Sequence, residues 1–301
     1  MNISAVDLNL LVTFEALLEE RSVTRAAARV GLSQPAMSSA LGRLRSLFDD
    51  ALFVRAGRGL EPTPRALELA GPVRAGLDQL RRAFEGGAVF SPSTSTRTFR
   101  LAMTDYAEWL LLAPLMKRLH MGVRIHVRRL DRLFQPPDAE LRSGAIDLAI
   151  GFFGDARTMQ EGSIAETLLE EENVVISSRL RKGTMTLDAF TAARHAAIIY
   201  RPEPWGLVDQ ELAALGRRRN LVLSVPHFQT VLETVAASDL LACVPRRLAQ
   251  HYRGLLGLRV APVPFSMPPF HTRMVWHRHA ADDPALQWLQ AELRLAAKAS
   301  N

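Results

Sequence analysis

The stretch 24-TRAAARVGLSQPAMSS-39 constrains the fold of this chain more than any other. Three adjacent alanines, then Gly31 and the step Ser33-Gln34-Pro35, stop one short helix and start another within a few residues. A glycine just past a last turn accepts the left-handed backbone of a helix end. A serine before the next helix accepts a hydrogen bond from its open amides, and a proline in the first turn forfeits none. Two helices joined this tightly cross at close range, which requires small side chains on the first; Ala26, Ala27 and Ala28 supply them. The spacing predicts a preceding helix opened by Asp7, with Leu10, Leu11, Phe14, Leu17 and Leu18 on its buried face. Ser22 or Thr24 opens the second helix. The third runs to about Leu47, with Met37, Leu41, Leu44 and Leu47 inward.

The outward face of the third helix carries Gln34, Ser38, Ser39 and Arg43 behind the cap residue Ser33 and Pro35. Amide, hydroxyl and guanidinium groups suit base edges and phosphates. Between Arg21 and Arg58 seven arginines stand against only Asp49 and Asp50. The whole chain has a net charge of +6, which permits an anionic partner without proving one. Of these arginines, Arg25, Arg29 and Arg45 read as ordinary solvated positions. The next segment, 51-ALFVRAGRGLEPTP-64, predicts a two-stranded ribbon of Leu52 to Arg55 and Leu60 to Glu61 around Ala56-Gly57-Arg58-Gly59. Such a wing would carry Arg55 and Arg58 to the DNA backbone or minor groove.

A helix restarts at Thr63-Pro64, and Leu67, Ala70, Val73, Leu77, Leu80 and Phe84 follow a three-four spacing. The spacing predicts a linker helix with no core of its own, burying this seam against a second copy as a two-fold dimer, with a bend at Pro72. Residues 85–97 are rich in Gly, Ser, Thr and Pro and read as a hinge.

The order of helix-turn-helix, SQPAMS, LFVRAGRGLEPTP and long helix resembles the N-terminal half of a LysR-type transcriptional regulator. The segments DLNLLVTFEALLEERSVTRAA and LELAGPVR look closest to the branch of aromatic-degradation and nodulation regulators. The resemblance implies that Gln34, Pro35, Ser38 and Arg55 face DNA; many members carry a basic residue where this chain has Ser39. It also implies a homotetramer built as a dimer of dimers, a small-molecule effector, and recruitment or blocking of RNA polymerase at promoter DNA.

Read independently, the rest of the chain alternates strands and helices. Strands are predicted at 97–103, VRIHVRRL, DLAIG, ENVVISS, AAIIYR, NLVLSV, LLACV and TRMVWHRH. Helices are predicted at DYAEWLLLAPLMKRLH, DAELRSG, 207–216, 227–238 and PALQWLQAELRLAAKA, and a parallel sheet follows. The fold expected is multidomain: an all-α winged helix-turn-helix domain (1–62), a linker helix (63–86), a hinge (87–96) and a two-lobed α/β, periplasmic-binding-protein-like effector domain (97–301). Lobe I covers about 97–170 and 271–301, and lobe II about 171–270. Ligands of open α/β sheets bind at the carboxyl ends of strands. Those ends are Thr104 and Asp105, Phe152 and Phe153, Tyr200 and Arg201, and His227 and Phe228. The resemblance places Thr104, Phe152, His227 and Phe228 in the effector cleft. Aromatic walls suit an aromatic or other partly apolar molecule, anionic if Arg201 faces inward.

Other classes fit poorly. The chain has no GxSxG elbow, Walker lysine loop or HExxH, and no GxGxxG after the first predicted strand. His277 and His279, on one face of a strand, have no nearby third ligand, so neither metal nor cofactor is expected. The single cysteine, Cys243, lies in the apolar run LLACV and reads as buried and inert. A transport solute-binding protein would leave residues 1–87 unexplained, and a nucleoid protein would waste the cleft. With no run of about 18 apolar residues and no basic leader, a cytoplasmic location without membrane contact is expected.

Overall fold

The computed structural model describes residues 6–56, 59–84, 90–119, 122–130, 134–154, 159–179, 185–199 and 206–300. Contacts divide the chain into two compact units, Met1–Ser91 with Asp138–Asp147, and Pro92–Pro137 with Leu148–Asn301.

In the first unit α1 spans Asn9–Glu20, α2 Val23–Val30 and α3 Gln34–Phe48. The carboxylate of Asp7 accepts a hydrogen bond from the Asn9 amide at 3.1 Å, so Asp7 does cap α1, although helical geometry already includes Leu8. Ser22 caps α2 through the Arg25 amide, and Gly31 ends it at φ 71°. Ser33 caps α3 through the Ala36 amide at 3.3 Å. Ala26 and Ala27 are buried at the crossing, whereas Ala28 is exposed and provides no clearance. The third alanine lies a further 100° or so around the helix, which carries it to solvent. Phe14, Leu17, Met37 and Leu44 form the centre of this core, with no exposed surface.

The wing is the antiparallel pair β1 (Phe53–Ala56) and β2 (Gly59–Pro62), in the register Phe53 to Pro62 and Ala56 to Gly59. Arg45 is not an idle solvated arginine. Its guanidinium donates to the carbonyls of Ala51 at 2.9 Å and Phe53 at 2.8 Å, which fixes the chain between α3 and the wing. Arg25 and Arg29 instead pair with Glu20, and Arg29 also with Glu19.

Helix α4 spans Pro64–Phe84 and contains Pro72. The Thr63 hydroxyl accepts from the Ala66 amide at its start and donates to Asp50 at 2.7 Å. The expectation that this helix lacks a core of its own fails. Val73 and Leu77 are buried in the same cluster as Phe14 and Met37, with Ala70 packed partly buried against it. Arg81 and Arg74 pair with Glu15 and Glu19 of α1. An apolar groove on α1 was available within the chain, so half of the seam was spent there. Only Leu67 (57% exposed) and Leu80 (40%) keep a free apolar face; the side chain of Phe84 lies outside the described residues. The short helix α6 (Asp138–Ser143) groups with this unit.

The second unit has two sheets. One has the order β4-β3-β5-β12-β6, from Arg124–Arg129, Thr98–Met103, Leu148–Gly151, Phe270–His277 and Ser163–Glu171. Its first three strands are parallel and β12 runs antiparallel to both neighbours, so the sheet is mixed rather than parallel. Helices α5 (Asp105–Met116) and α11 (Pro284–Ala299) pack together beside it. In the other lobe β7 (Asn173–Ser177) lies between antiparallel β10 (Ala242–Pro245) and β11 (Arg259–Pro262). Strand β8 (Arg194–Ile198) pairs in parallel with β9 (Asn220–Val225) and bridges Leu241 through His195. The remaining helices are α7 (Leu187–Ala192), α8 (Leu207–Ala214), α9 (Phe228–Ala236) and α10 (Arg246–Leu255).

Strands β6 and β11 and helices α7 and α10 were not anticipated. The sequence of β6, SIAETLLEE, is built of good helix formers; long-range pairing with β12 overrides that preference. His279 leaves the strand for a single 3-10 turn, so it does not share a strand face with His277; their rings lie 4.4 Å apart. Among the described residues no group of His, Cys, Asp and Glu could hold a metal ion, and no helix is long and apolar enough to cross a membrane.

In the second lobe His195 is fully buried, with Nε2 2.6 Å from the Phe190 carbonyl and its ring edge-on to Phe190. Burial lowers its pKa to about 4. Cys243 packs partly buried against the core containing Phe190, and burial pushes its thiol up to about 12, which keeps it protonated and unreactive.

Three outcomes follow. Leu77→Ala should cost about 2–4 kcal/mol in chemical unfolding of the N-terminal unit. Leu67→Ala should change stability by less than about 0.5 kcal/mol. His195 is neutral when folded and protonates near pH 6.5 when unfolded, so its contribution is full above pH 6.5 and is lost as pH falls toward about 4. Thermal melts should then show wild type losing roughly 3 kcal/mol more than His195→Gln over that window; parallel pH curves would show that His195 is not the titrating group.

Candidate functional site

The first candidate surface is the outer face of α3. Its N-terminal cap frees Gln34, Pro35, Ser38 and Ser39 to solvent while Met37, Leu41 and Leu44 hold the opposite side in the core. Ser33 is exposed too, but its oxygen already accepts from Ala36. Arg43 is exposed and paired with Asp7, Nη2 to Oδ2 2.8 Å. The Asn9 amide first, and then Arg43, hold the Asp7 carboxyl below its ordinary range. On the wing Arg55 is exposed opposite Leu60; Arg58 lies outside the described residues.

The second candidate is a cavity of about 530 Å³ in the effector unit, walled by α5 from one lobe and α9 and α10 from the other. Asp105, His227 and Phe228 come together there. Asp105 starts α5, and its Oδ2 accepts the first amide of α9, that of Phe228, at 2.7 Å. His227 Nε2 lies 3.2 Å from Arg129 at the end of β4, and Arg129 also donates to the Pro226 carbonyl at 3.0 Å. Thus two charged groups of one lobe, Asp105 and Arg129, meet the start of α9 from the other at one edge of the cavity. Burial, and then the charge of Asp105, raise the Glu108 carboxyl.

The other expected residues are placed differently. Thr104 is fully buried, its hydroxyl spent on capping α5 through Ala107, so it does not line the cavity. Phe153 is buried, and its carbonyl accepts from Arg273 of β12. Phe152 stands behind the wall: it stacks on Tyr106 at 5.6 Å and meets the edge of Phe270 at 4.9 Å. Tyr200 and Arg201 lie outside the described residues.

Sequence reasoning missed most of the aromatic wall. Tyr106 and Trp109 of α5 and Tyr252 of α10 face the cavity together with Glu108, Leu232 and Glu233. Tyr106 stacks on Trp109 at 5.9 Å, and Trp109 lies 6.3 Å from Tyr252. The three-residue step from Tyr106 to Trp109, just after a strand end, was a readable signal for the α5 wall. Tyr252 had none, because α10 itself was not anticipated.

Beneath Tyr106 lies a buried network. Its hydroxyl donates to Glu171 at the end of β6 at 2.5 Å, and Arg247 of α10 donates to the same carboxylate oxygen at 2.7 Å. The Glu172 amide takes the other oxygen at 3.1 Å. Burial and the neighbouring carboxylate push the Tyr106 phenol far above its ordinary range, so it remains a donor.

A helix-turn-helix unit with an exposed polar helix, on the same chain as a two-lobed α/β unit with an aromatic cavity, defines a ligand-responsive DNA-binding regulator. Comparison with known proteins narrows the class. Residues 8–67 match the bacterial regulatory helix-turn-helix protein, lysR family, and residues 93–298 match the LysR substrate binding domain. The HTH-type transcriptional activator NagR of Ralstonia sp is 36% identical over 294 residues, covering 96% of this chain and 97% of its own. Nodulation protein D 1 of Rhizobium tropici is 33% identical, covering 97% of this chain and 96% of its own. The crystal structure of a probable transcriptional regulator from Pseudomonas aeruginosa is 35% identical with a TM-score of 0.76, covering 97% of both chains. The chain belongs to the LysR family of transcriptional regulators; it is a DNA-binding regulator with a substrate-binding domain, and not an enzyme.

Arg247→Met would leave the Glu171 carboxylate buried without its cation and should cost about 3 kcal/mol or more in unfolding of the effector unit. Combining it with Glu171→Gln should recover most of that loss. A mild single variant, or a double variant as damaged as the single, would show that the network carries no buried charge.

Proposed function

We propose that this regulator switches promoters through an aromatic or other partly apolar small molecule held between the lobes of its effector domain. The observation that carries the reading is that α5 of one lobe and α9 and α10 of the other wall the same cavity, with Tyr106, Trp109, Phe228 and Tyr252 around it. A ligand there contacts both lobes, so its affinity depends on their arrangement and it shifts that arrangement in return. Asp105 and His227 form the polar edge; Thr104, Phe152 and Phe153 shape the wall from behind. Tyr200 and Arg201, which follow β8 in the sequence, would complete the proposed cleft.

The domain partition we adopt is 1–62 for DNA binding, 63–86 for the linker helix, 87–96 for the hinge and 97–301 for effector binding. Ser33, Gln34, Pro35, Ser38, Ser39 and Arg43 would enter the major groove, while Arg55 and Arg58 of the wing grip the backbone. Leu67 and Leu80 of α4, with Phe84, would join two copies, and two such dimers make the tetramer. A change of lobe arrangement would then alter half-site spacing and DNA bend, and with them RNA polymerase recruitment in the cytoplasm.

Gln34→Ala should cost about 1–3 kcal/mol of discrimination between the segment upstream of the regulator's own gene and a scrambled duplex in mobility shifts; unchanged selectivity would displace α3 as the reading helix. For the effector, titration of Trp109 fluorescence with a panel of benzoates, phenols, sugars and amino acids should give a saturable change with an aromatic compound. That change should vanish in Trp109→Phe. A response confined to sugars or amino acids would overturn the aromatic assignment.

A further inference from the structure

The recognition helix carries its own counter-ion. Oδ1 of Asp7 is occupied at 3.1 Å by both the backbone amide and the side-chain amide of Asn9, which leaves Oδ2 to take Arg43 Nη2 at 2.8 Å. The acid is therefore fixed in place by the start of α1, and α3 brings the arginine to it across 36 residues of sequence. The other basic groups of this unit have different fates. Arg25 and Arg29 are paired with glutamates, Arg45 is bound to carbonyls, and Arg55 stands exposed without an ion-pair partner among the described residues. Of the two described arginines offered to DNA in the reading above, Arg43 is neutralised in advance and Arg55 is not.

We propose that Asp7 is a resident competitor for Arg43 that weakens the regulator's hold on non-operator DNA. A phosphate in a random duplex must displace a carboxylate already in hydrogen-bonding position, and displacement leaves the Asp7 charge beside the DNA backbone. Only a site that repays both costs, with base contacts to α3, recovers the Arg43 guanidinium. Asp7 thus sets the ratio of specific to non-specific affinity without touching a base. The inference rests on the reading that the outer face of α3 meets DNA.

The test uses the full-length protein and a labelled 30-bp random-sequence duplex, with fluorescence anisotropy from about 50 to 200 mM KCl. Asp7→Asn keeps the Asn9 cap, since asparagine offers the same oxygen. It should bind the random duplex about three- to fivefold more tightly than wild type, the worth of one exposed ion pair. The slope of log affinity against log salt should steepen by up to about 0.9, one further phosphate contact. In an Arg43→Gln background the same substitution should change affinity less than about twofold, because nothing remains to be released. Equal tightening in both backgrounds would mean that Asp7 acts through net charge alone, and no tightening in either would remove the competitor. In both cases the proposal is overturned. Selectivity of Gln34→Ala for the upstream promoter segment separates the two levels. Its loss upholds α3 as the reading helix even when Asp7→Asn is silent, and its retention removes that reading and this inference together.

Discussion

The buried carboxylate of Glu171 is the constraint around which the effector unit is organised. It sits at the end of β6, where the chain passes from one lobe to the other, and is met by a phenol from α5 and a guanidinium from α10. A buried charge is costly unless its hydrogen bonds are filled, so α5, the crossover and α10 are held together at this one point. Tyr106 then has its ring fixed at the cavity wall by its own hydroxyl. Phe152, Trp109 and Phe228 pack around that ring, and the aromatic lining follows from where a single carboxylate was put.

A second set of polar contacts lies at the other edge of the cavity. Asp105 holds the amide end of α9, where the helix dipole favours negative charge, and Arg129 reaches His227 and the Pro226 carbonyl. Asp105 and Arg129 are half-buried and His227 is exposed, so these contacts are more open to water than the Glu171 network. Contacts of this kind are the ones a ligand can replace, whereas the network beneath Tyr106 is buried and filled.

The N-terminal unit obeys a simpler economy. Ala26 and Ala27 allow α2 to approach its neighbours, capping residues end each helix where the crossing requires, and Arg45 fastens the wing entry to the end of α3. Helix α4 belongs partly to this unit: Val73 and Leu77 lie in its core, and Arg74 and Arg81 meet acids of α1. Periodicity alone located that seam but could not divide it, since a three-four repeat is the same whether its partner is α1 or a second copy.

By itself the sequence determined the helix-turn-helix, the wing, the linker helix and the alternation of strands and helices, because caps, glycines and apolar periods act over a few residues and are legible there. It also marked the strand ends, and three of the residues named from them, Asp105, His227 and Phe228, do meet at one cavity. Only the tertiary structure decided that Thr104 turns inward to cap α5, that β6 is a strand despite its helix-forming residues, and that Trp109 and Tyr252 share a wall. It alone joined Asp7 to Arg43 and Glu171 to Tyr106 and Arg247. Those pairings span 36, 65 and 76 residues, and no local propensity encodes which distant charge or ring will arrive opposite a given side chain. That is fixed by the packing of the sheets and helices that carry them.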